Sequence, residues 1–267
     1  MSQYATGAGR SARRAAQSPA MERAARTGFA ASGLVHLLIA YLALQVAWGG
    51  GGREADQSGA LAVLAGNPAG AVLLWLTALG CAALALWQAV DAVVDTHGGD
   101  GRGLRAAKGG ATAVIYAILA VSAARFAVGS GRSSSSQTRG LTARLLENPG
   151  GRILVVLVGL VVIGVGVYFA YKGVTHGFRD DLRSHPGTGV ERLAVIGHVA
   201  KGAALTLVGL LFCVAGIRRS TGPAGGLDSA LKTLRDAPLG PYLLTLVGLG
   251  IAAYGAYCFA RAKYAKL

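Results

Sequence analysis

Three times along the chain, a long apolar segment leads into a short turn of proline and glycine, and a second long apolar segment follows. The three turns are Pro68-Ala69-Gly70, Pro149-Gly150-Gly151 and Pro238-Leu239-Gly240. The same intervals align leucines before each turn and aromatic residues after it: Leu64, Leu145 and Leu234, then Trp87, Tyr168 and Tyr257. Self-similarity at a nearly fixed period indicates tandem structural repeats. The sequence therefore predicts three copies of one two-helix unit.

The apolar segments themselves are almost free of charge. They cover residues 29–48, 71–90, 109–124, 153–171, 193–216 and 242–260. Most reach the roughly 20 residues that cross a hydrocarbon layer about 30 Å thick. The third is the shortest, and it extends to Val128 if Arg125 reaches up to the interface. None has the polar face that a helix exposed to water needs. We therefore predict an all-α, polytopic membrane protein with six transmembrane helices.

The net charge of +14 has two interpretations, nucleic acid or membrane lipid. The basic residues stand at the ends of the apolar segments and in the loops between them, which favours anionic lipid headgroups. We expect no nucleic-acid partner. The even-numbered loops and the termini carry more Lys and Arg than the odd-numbered loops, so both termini are predicted to be cytoplasmic. Residues 1–25 are interpreted as a basic, disordered tail, with a short surface helix over 20–26.

Each repeat consists of a span, a short amphipathic helix, the Pro-x-Gly turn and a second span. The repeats are predicted at 26–97, 105–177 and 190–267, and the short helices at 58–64, 141–146 and 227–236, with Asp228 as a helix cap. Helices this short cannot cross a bilayer and should lie at its interface. In each turn we expect the proline to end the short helix and the glycine to permit a tight change of direction.

Two spans per repeat give all three repeats the same orientation, which predicts a compact six-helix bundle with approximate threefold character. The short helices would then share its outer side. In lipid, helices associate through close backbone packing at small residues, and Gly159, Gly164 and Gly166 supply such positions on the fourth span. Sliding or gating of the helices is the alternative use of these glycines.

The first repeat carries the clearest family pattern. Residues 28–35 follow Gly-Phe-Ala-Ala-x-Gly-Leu-Val, and residues 59–70 follow Gly-Ala-Leu-x-x-Leu-x-x-x-Pro-x-Gly. This pattern resembles domain-of-unknown-function family 1206, whose members are bacterial, mainly actinobacterial, membrane proteins built from tandem two-helix units. The resemblance covers about residues 26–266 and is weakest in the second repeat, with its serine-rich stretch at 133–136. It implies a multi-pass protein of the cytoplasmic membrane and implies no activity.

Ionisable residues within the spans are functional candidates, because they are costly in lipid. His36 lies in the first span, where either a hydrogen bond within the bundle or a proton or ligand relay with Tyr41 and Gln45 would account for it. His198 and Lys201 are three residues apart on the fifth span. Lys201 has two interpretations, contact with lipid headgroups or a role inside the bundle.

Three charged residues occupy one equivalent position on the second spans of the repeats, namely Asp91, Lys172 and Arg261. In a threefold bundle they would meet at its inner mouth, with Lys201 as a further member, and would lock the bundle or gate a central path. The alternative is that they contact headgroups around the outside. Asp180 and Asp181, flanked by arginines, are interpreted as solvated loop charges.

Motifs for catalysis are absent from the sequence. It contains no Gly-rich phosphate loop, His-Glu-x-x-His, Cys-x-x-Cys or Gly-x-Ser-x-Gly, and Cys81, Cys213 and Cys258 each stand alone. We therefore predict no catalytic, cofactor-binding or metal site and no enzyme activity. The favoured function is a structural or accessory membrane component that contacts lipids and a membrane-protein partner or a second copy of itself. The alternative is a small transporter or channel with a path along the pseudo-threefold axis.

Overall fold

The structure is a computed structural model that describes residues 19–49, 52–66, 68–94 and 102–265. Within these ranges the chain is helical, with nine α-helices and one short 3-10 helix at Gly177–Asp181. The helices are α1 Pro19–Ala47, α2 Gln57–Ala65, α3 Pro68–Val94, α4 Arg102–Ala127, α5 Ser134–Leu146, α6 Pro149–Val174, α7 Thr188–Arg218, α8 Gly226–Arg235 and α9 Gly240–Tyr264. The predicted all-helical fold is confirmed.

Six of these helices are long and apolar enough to cross a membrane. Their apolar parts are Ala25–Ala47, Pro68–Val90, Gly109–Ala127, Pro149–Val174, Thr188–Arg218 and Gly240–Tyr264. Each contains the corresponding predicted segment or nearly all of it, and the third does extend past Arg125. The three short helices, α2, α5 and α8, follow α1, α4 and α7 and stand at one end of the bundle, which we call the short-helix end. The first and last long helices meet at the opposite, terminal end.

The six long helices are arranged in the spatial order α4–α3–α1–α9–α7–α6. The most extensive contacts, α6 with α7, α1 with α9 and α3 with α4, all join one repeat to another. The bundle departs from the expected threefold character in one place: α4 and α6 of the second repeat do not pack side by side, whereas the two spans of the first repeat and those of the third do. The short helix between them has 13 residues, against 9 and 10 in the other repeats.

Glycines stand where the long helices cross most closely. A Cβ atom on Gly33 would lie 2.9 Å from the carbonyl oxygen of Gly255, on α9, and one on Gly166 would lie 2.7 Å from that of Gly202, on α7. The fourth span also packs on α7 through Gly159, whereas Gly164 faces open space. Backbones approach this closely only where both partners lack side chains, so these contacts fix the pairing of the helices.

The three Pro-x-Gly turns begin the second spans. Pro68 and Pro149 are the first residues of α3 and α6, where the missing N–H of proline costs nothing. In the third repeat the helix begins two residues later, at Gly240. The glycines are needed for space rather than for an unusual φ angle, because a Cβ on each would overlap a backbone carbonyl of the preceding short helix: Leu64 for Gly70, Leu145 for Gly151 and Arg235 for Gly240.

The N-terminal segment differs from its prediction. Residues 1–18 lie outside the described residues, but α1 begins at Pro19 and continues without a break into the first span, so residues 19–25 are not a disordered tail or a separate surface helix. Arg26 anchors this part of α1, because its Nη1 donates a 2.8 Å hydrogen bond to the carbonyl oxygen of Ala262. The Glu22 carboxylate pairs with Arg26, also on α1, at 2.8 Å and with Arg183, in the loop before α7, at 3.2 Å.

The loop before α7 closes against the end of α9. Arg183 donates its backbone N–H to the carbonyl oxygen of Tyr264 at 2.8 Å, and Leu182 and Ala265 form an isolated antiparallel bridge. Phe178, on the 3-10 helix, is fully buried beneath this loop. The loop is therefore a packed part of the terminal end and not a free connection.

Candidate functional site

Titratable and aromatic side chains gather in the half of the bundle nearer the terminal end. We call this group the terminal-end cluster. It is supplied by α1, α6, the 3-10 helix, α7 and α9, and consists of His36, Phe169, Lys172, Phe178, Asp181, His198, Lys201, Tyr254, Tyr257 and Arg261. Five of the six candidate polar residues predicted from the sequence lie here.

Lys201 extends from α7 into the bundle. Its Nζ atom lies 3.3 Å from Nε2 of His36 and 4.0 Å from the centroid of the Tyr254 ring. Nδ1 of His36 lies 2.7 Å from the carbonyl oxygen of Ser32, which can only accept a hydrogen bond. We infer that Nδ1 carries the proton and that Nε2 presents its lone pair to the ammonium group. Lys201 therefore points inward and does not reach for the rim of the bundle.

In the part of the chain that the structure describes, the charge of Lys201 has no acidic counterpart nearby. Among the described residues, no carboxylate lies within salt-bridge distance of its Nζ. The faces of the Tyr254 and Phe169 rings, 4.0 and 4.9 Å from Nζ, supply part of the electrostatic compensation. An ammonium held by rings and an imidazole, without a carboxylate, is able to accept an anion or to exchange a proton with His36.

His36 does not form a relay with Tyr41 and Gln45, which was one of the two interpretations of this residue. Tyr41 is 54% exposed, and its hydroxyl accepts a 2.7 Å hydrogen bond from Gln45, so this pair faces the outside of α1. His36 instead faces α9, where its ring lies 4.8 Å from that of Tyr254. The two faces of α1 are therefore separate, and His36 belongs to the interior.

His198 is enclosed by aromatic rings. It is 2% exposed, and its Nδ1 lies 2.7 Å from the carbonyl oxygen of Ala194 one turn earlier in α7. Two rings stack on it nearly in parallel, at 5.9 and 5.5 Å, and two more meet it edge-on at 5.1 Å; in order these are Phe169, Phe178, Tyr254 and Tyr257. This packing holds the imidazole in one orientation and gives it a structural place between α6, α7 and α9.

Lys172 and Arg261 do approach each other, but through a residue that the sequence analysis assigned to solvent. The Asp181 carboxylate lies 2.6 Å from Nζ of Lys172 and 3.5 Å from Nη2 of Arg261. The interpretation of Asp181 as a solvated loop charge is therefore wrong, whereas its neighbour Asp180 is exposed. The side chain of Asp91, the predicted acidic member, lies outside the described residues. Lys201 does not join this group.

The Arg261 guanidinium also lies 4.5 Å from the centre of the Phe29 ring, on α1. Its Nε atom is buried and has no hydrogen-bond partner in the part of the chain that the structure describes, and the same holds for the hydroxyl of Tyr257. Buried donors are normally satisfied by protein or water. These two groups are thus the places in the cluster where a bound water or ligand oxygen would make a new hydrogen bond.

A second group of charged side chains, two exposed ones around the buried Glu191, links the 3-10 helix and the following loop to the start of α7. Arg179 binds the Glu191 carboxylate through two hydrogen bonds, of 2.7 and 2.8 Å, and His185 lies 3.0 Å from the same carboxylate. The hydrogen bonds to Glu191 raise the pKa of Arg179 further above its usual value. This group holds the loop in place and lies apart from Lys201.

The short-helix end carries a buried polar network, which we call the short-helix network. Asp56 caps α2 by accepting a 3.0 Å hydrogen bond from the N–H of Gly59, and the hydroxyls of Ser58 and Ser135 lie 2.6 and 3.3 Å from its carboxylate. Burial raises the pKa of Asp56, and the bonds to Ser58 and Gly59 oppose that shift only in part. The network joins the first and second repeats.

Asp228 joins the third repeat to the first. Its carboxylate accepts a 2.9 Å hydrogen bond from the N–H of Ala55 and lies 2.7 Å from Nζ of Lys232. The prediction that Asp228 caps its own helix is wrong, because Gly225 occupies that position. Arg139, at the equivalent position in the second repeat, donates a 2.8 Å hydrogen bond to the hydroxyl of Ser229. The three short helices thus contact one another through polar side chains.

The described residues contain no group of three or more His, Cys, Asp or Glu side chains that could hold a metal ion. Cys81 and Cys258 are buried, and Cys213 is partly buried. In the described residues, the chemistry available at the terminal-end cluster is that of one unpaired ammonium group, two histidines and a bridged carboxylate.

Sequence comparison supplies the context for this site. The family described as Domain of Unknown Function (DUF1206) matches the chain in three tandem segments, residues 27–95, 107–176 and 196–265. The chain is also similar to the "Uncharacterized protein YxxB" of Bacillus subtilis (strain 168), with 29% identity over 254 residues and coverage of 92% of each chain. No solved structure gives a significant match. The resemblance drawn from the sequence is thus confirmed: the chain belongs to the DUF1206 family and contains three copies of its unit.

Proposed function

We propose that the protein is a structural or accessory component of the bacterial cytoplasmic membrane, which crosses the membrane six times with both termini in the cytoplasm. It acts by packing with lipids and with a membrane-protein partner or a second copy of itself, and it is not an enzyme. The short-helix end then faces outward, with α2, α5 and α8 at the outer interface, and the terminal end faces the cytoplasm.

The apolar exterior supports a membrane location. Large aliphatic and aromatic side chains on the outer faces of the long helices are exposed, including Leu79 on α3, Ile118 on α4, Val161 on α6 and Leu246 on α9, each 60% or more. A monomer in water rarely exposes continuous apolar surface of this extent. Lipid acyl chains would cover this apolar surface without exposing it to water.

The packed interior is the observation that favours an accessory role over a transport path. Between the two polar ends, aliphatic side chains from α1, α2, α3, α4 and α9 pack into one buried cluster. Its members are Val35, Ile39, Ala40, Ala60, Leu61, Leu64, Leu74, Ala78, Ala123 and Ile251. A path for a polar solute through this region would require these side chains to separate. Such packing suits a rigid scaffold.

Labelling of single cysteines tests the membrane arrangement. We would introduce Ala69→Cys, Gly150→Cys and Tyr242→Cys, one in each turn region, and Thr175→Cys at the terminal end. In intact cells a membrane-impermeant maleimide should label the first three, and Thr175→Cys should react only after permeabilisation. The unaltered chain, with its buried or partly buried cysteines, is the background control. Turns on different sides of the membrane, or intact chain recovered without detergent, would refute the proposal.

Transport is the second candidate function, and Lys201 is the observation that favours it. A buried ammonium without a carboxylate partner is costly, and such groups in membrane proteins often mark ion or proton pathways. Purified protein in liposomes should show no proton or anion flux if the accessory role is correct, and Lys201→Met should leave apparent stability unchanged or higher, because the unpaired charge is removed. Flux that Lys201→Met abolishes would establish transport instead.

A further inference from the structure

A groove runs along the face of α4 that the open second repeat leaves uncovered. Its volume is about 370 Å³. Its lining is aliphatic along the helix, with Val114, Ile118 and Val121, and polar where the helix ends, with Arg125, Arg132 and Gln137. Among the long helices of the described ranges, α4 packs against α3 and not against α6. Val114, Ile118 and Val121 are 54 to 60% exposed, so the groove is open on this face of α4.

The spacing of the lining residues gives the groove its shape. Val114, Ile118, Val121 and Arg125 are three or four residues apart, which places them in one stripe along the helix. At a rise of about 1.5 Å per residue, this stripe is roughly 16 Å long. The groove is therefore an apolar strip that is open on one side, with its charged end at the short-helix end of the bundle.

The charged end is positive only. Arg125 and Arg132 are both exposed, and the groove is lined by no carboxylate. Within the described ranges, neither arginine forms a salt bridge, in contrast to Arg179 and Arg26 at the terminal end. Two guanidinium groups beside an amide match the oxygens of a phosphodiester, since guanidinium binds phosphate through paired hydrogen bonds. An aliphatic partner alone would leave these charges unmatched.

We propose that this groove binds one anionic phospholipid, with an acyl chain along α4 and its phosphate between Arg125 and Arg132. The Gln137 amide is placed to contact the headgroup. This inference rests on the membrane location proposed above and adds to it a specific lipid site in the leaflet at the short-helix end.

The test is native mass spectrometry of the full-length protein with phosphatidylglycerol and with phosphatidylcholine of the same acyl chains. Phosphatidylglycerol should bind at least about tenfold more tightly: both lipids present the same phosphodiester, but only phosphatidylcholine carries a quaternary ammonium, which the two guanidinium groups repel. Arg125→Gln and Arg132→Gln should each remove most of this preference. Arg218→Gln, an exposed arginine at the same end but outside the groove, should leave it unchanged.

A second pair of variants tests the apolar part without altering charge. Val121→Trp fills the groove and should weaken binding of both lipids, whereas Ile115→Trp, exposed on the same helix but not lining the groove, should have no effect. Equal binding of the two lipids, or binding that is insensitive to both arginine substitutions, would refute the site. Displacement of the lipid by inorganic phosphate alone would show an anion site that recognises no lipid, and would also refute it.

The cysteine-labelling result separates the two proposals. If the turns are labelled as expected and phosphatidylglycerol shows no preference, the lipid site is wrong and the membrane location stands. If the chain is recovered without detergent, both are wrong.

Discussion

The two ends of the bundle are held together by different interactions. At the terminal end, opposite charges from separate segments pair directly, as Asp181 does with Lys172 and Arg261, and aromatic rings enclose what remains. At the short-helix end, carboxylates bind hydroxyls and backbone N–H groups, and the spans turn where glycine leaves room for a carbonyl. Charge pairing is more prominent at the first end and close backbone packing at the second, although Asp228 and Lys232 also form an ion pair there.

This difference determines which substitutions each end tolerates. A charge pair that is partly open to solvent is weakened by a substitution but still has water available to it. Water cannot compensate for a steric overlap with the backbone in this way, because a carbonyl oxygen cannot move without moving its helix. We therefore expect single-atom additions at the short-helix end to cost more than single charge removals at the terminal end.

Gly151→Ala should have the largest effect. The added Cβ would overlap the carbonyl oxygen of Leu145, and the turn would have to open. Overpacking against backbone costs about 3 kcal/mol, which thermal unfolding in detergent would measure. Gly150→Ala is the matched control: its Cβ would meet nothing within 4 Å, so apparent stability should stay the same or rise slightly. Equal effects of the two substitutions would mean that space at this turn does not limit stability.

Asp181→Asn should have the next largest effect. It leaves the Lys172 and Arg261 charges together without their carboxylate, in a site where the three side chains are 17 to 28% exposed. Because this site is partly screened by solvent, we expect a loss of about 2 kcal/mol rather than the larger cost of breaking a fully buried pair. The loss should shrink at high salt, unlike that of Gly151→Ala.

The neighbouring residue gives the control for this prediction. Asp180 is exposed and forms no salt bridge among the described residues, so Asp180→Asn should change apparent stability very little. If both substitutions act alike, general loss of negative charge in the loop explains the effect, and the bridge through Asp181 contributes nothing of its own.

Much of this fold could be predicted from the sequence, because the signals are local or repeated. Apolar length determines the six long helices, and the recurrence of Pro68, Pro149 and Pro238 determines their grouping. The gap between α4 and α6 could not be predicted in this way. The connection between the two spans has nearly the same length in all three repeats, so the sequence carries no length signal for this gap.

The site was less accessible to sequence reasoning. Lys172 and Arg261, at equivalent positions in the repeats, both contact Asp181, and this carboxylate comes from a loop outside the repeat pattern. A run such as Phe178-Arg179-Asp180-Asp181 looks solvated until the burial of Phe178 is known, since that ring anchors the loop over the bundle. Likewise, Asp228 looks like a helix cap because a cap is a local motif, whereas its actual partner, Ala55, lies in another repeat.

Asp56→Asn should have the smallest effect, and that effect should depend on pH. Burial raises the pKa of Asp56 in the folded protein above that in the unfolded chain, so the folded state binds the proton more tightly. The stability that this group contributes is fully present below the unfolded pKa of about 3.9, and it is lost as the pH rises through the higher folded value. Asparagine keeps acceptor oxygen for Gly59 and cannot ionise.

The melting temperatures of Asp56→Asn and the unaltered protein should therefore be similar near pH 4, and the variant should be more stable by a few degrees near pH 8. Asp236→Asn, an exposed acidic residue at the same end, is the control and should leave the melting temperature at pH 8 unchanged. If Asp56→Asn and the unaltered protein had the same melting temperature at both pH values, burial of the Asp56 carboxylate would not limit the stability of this end.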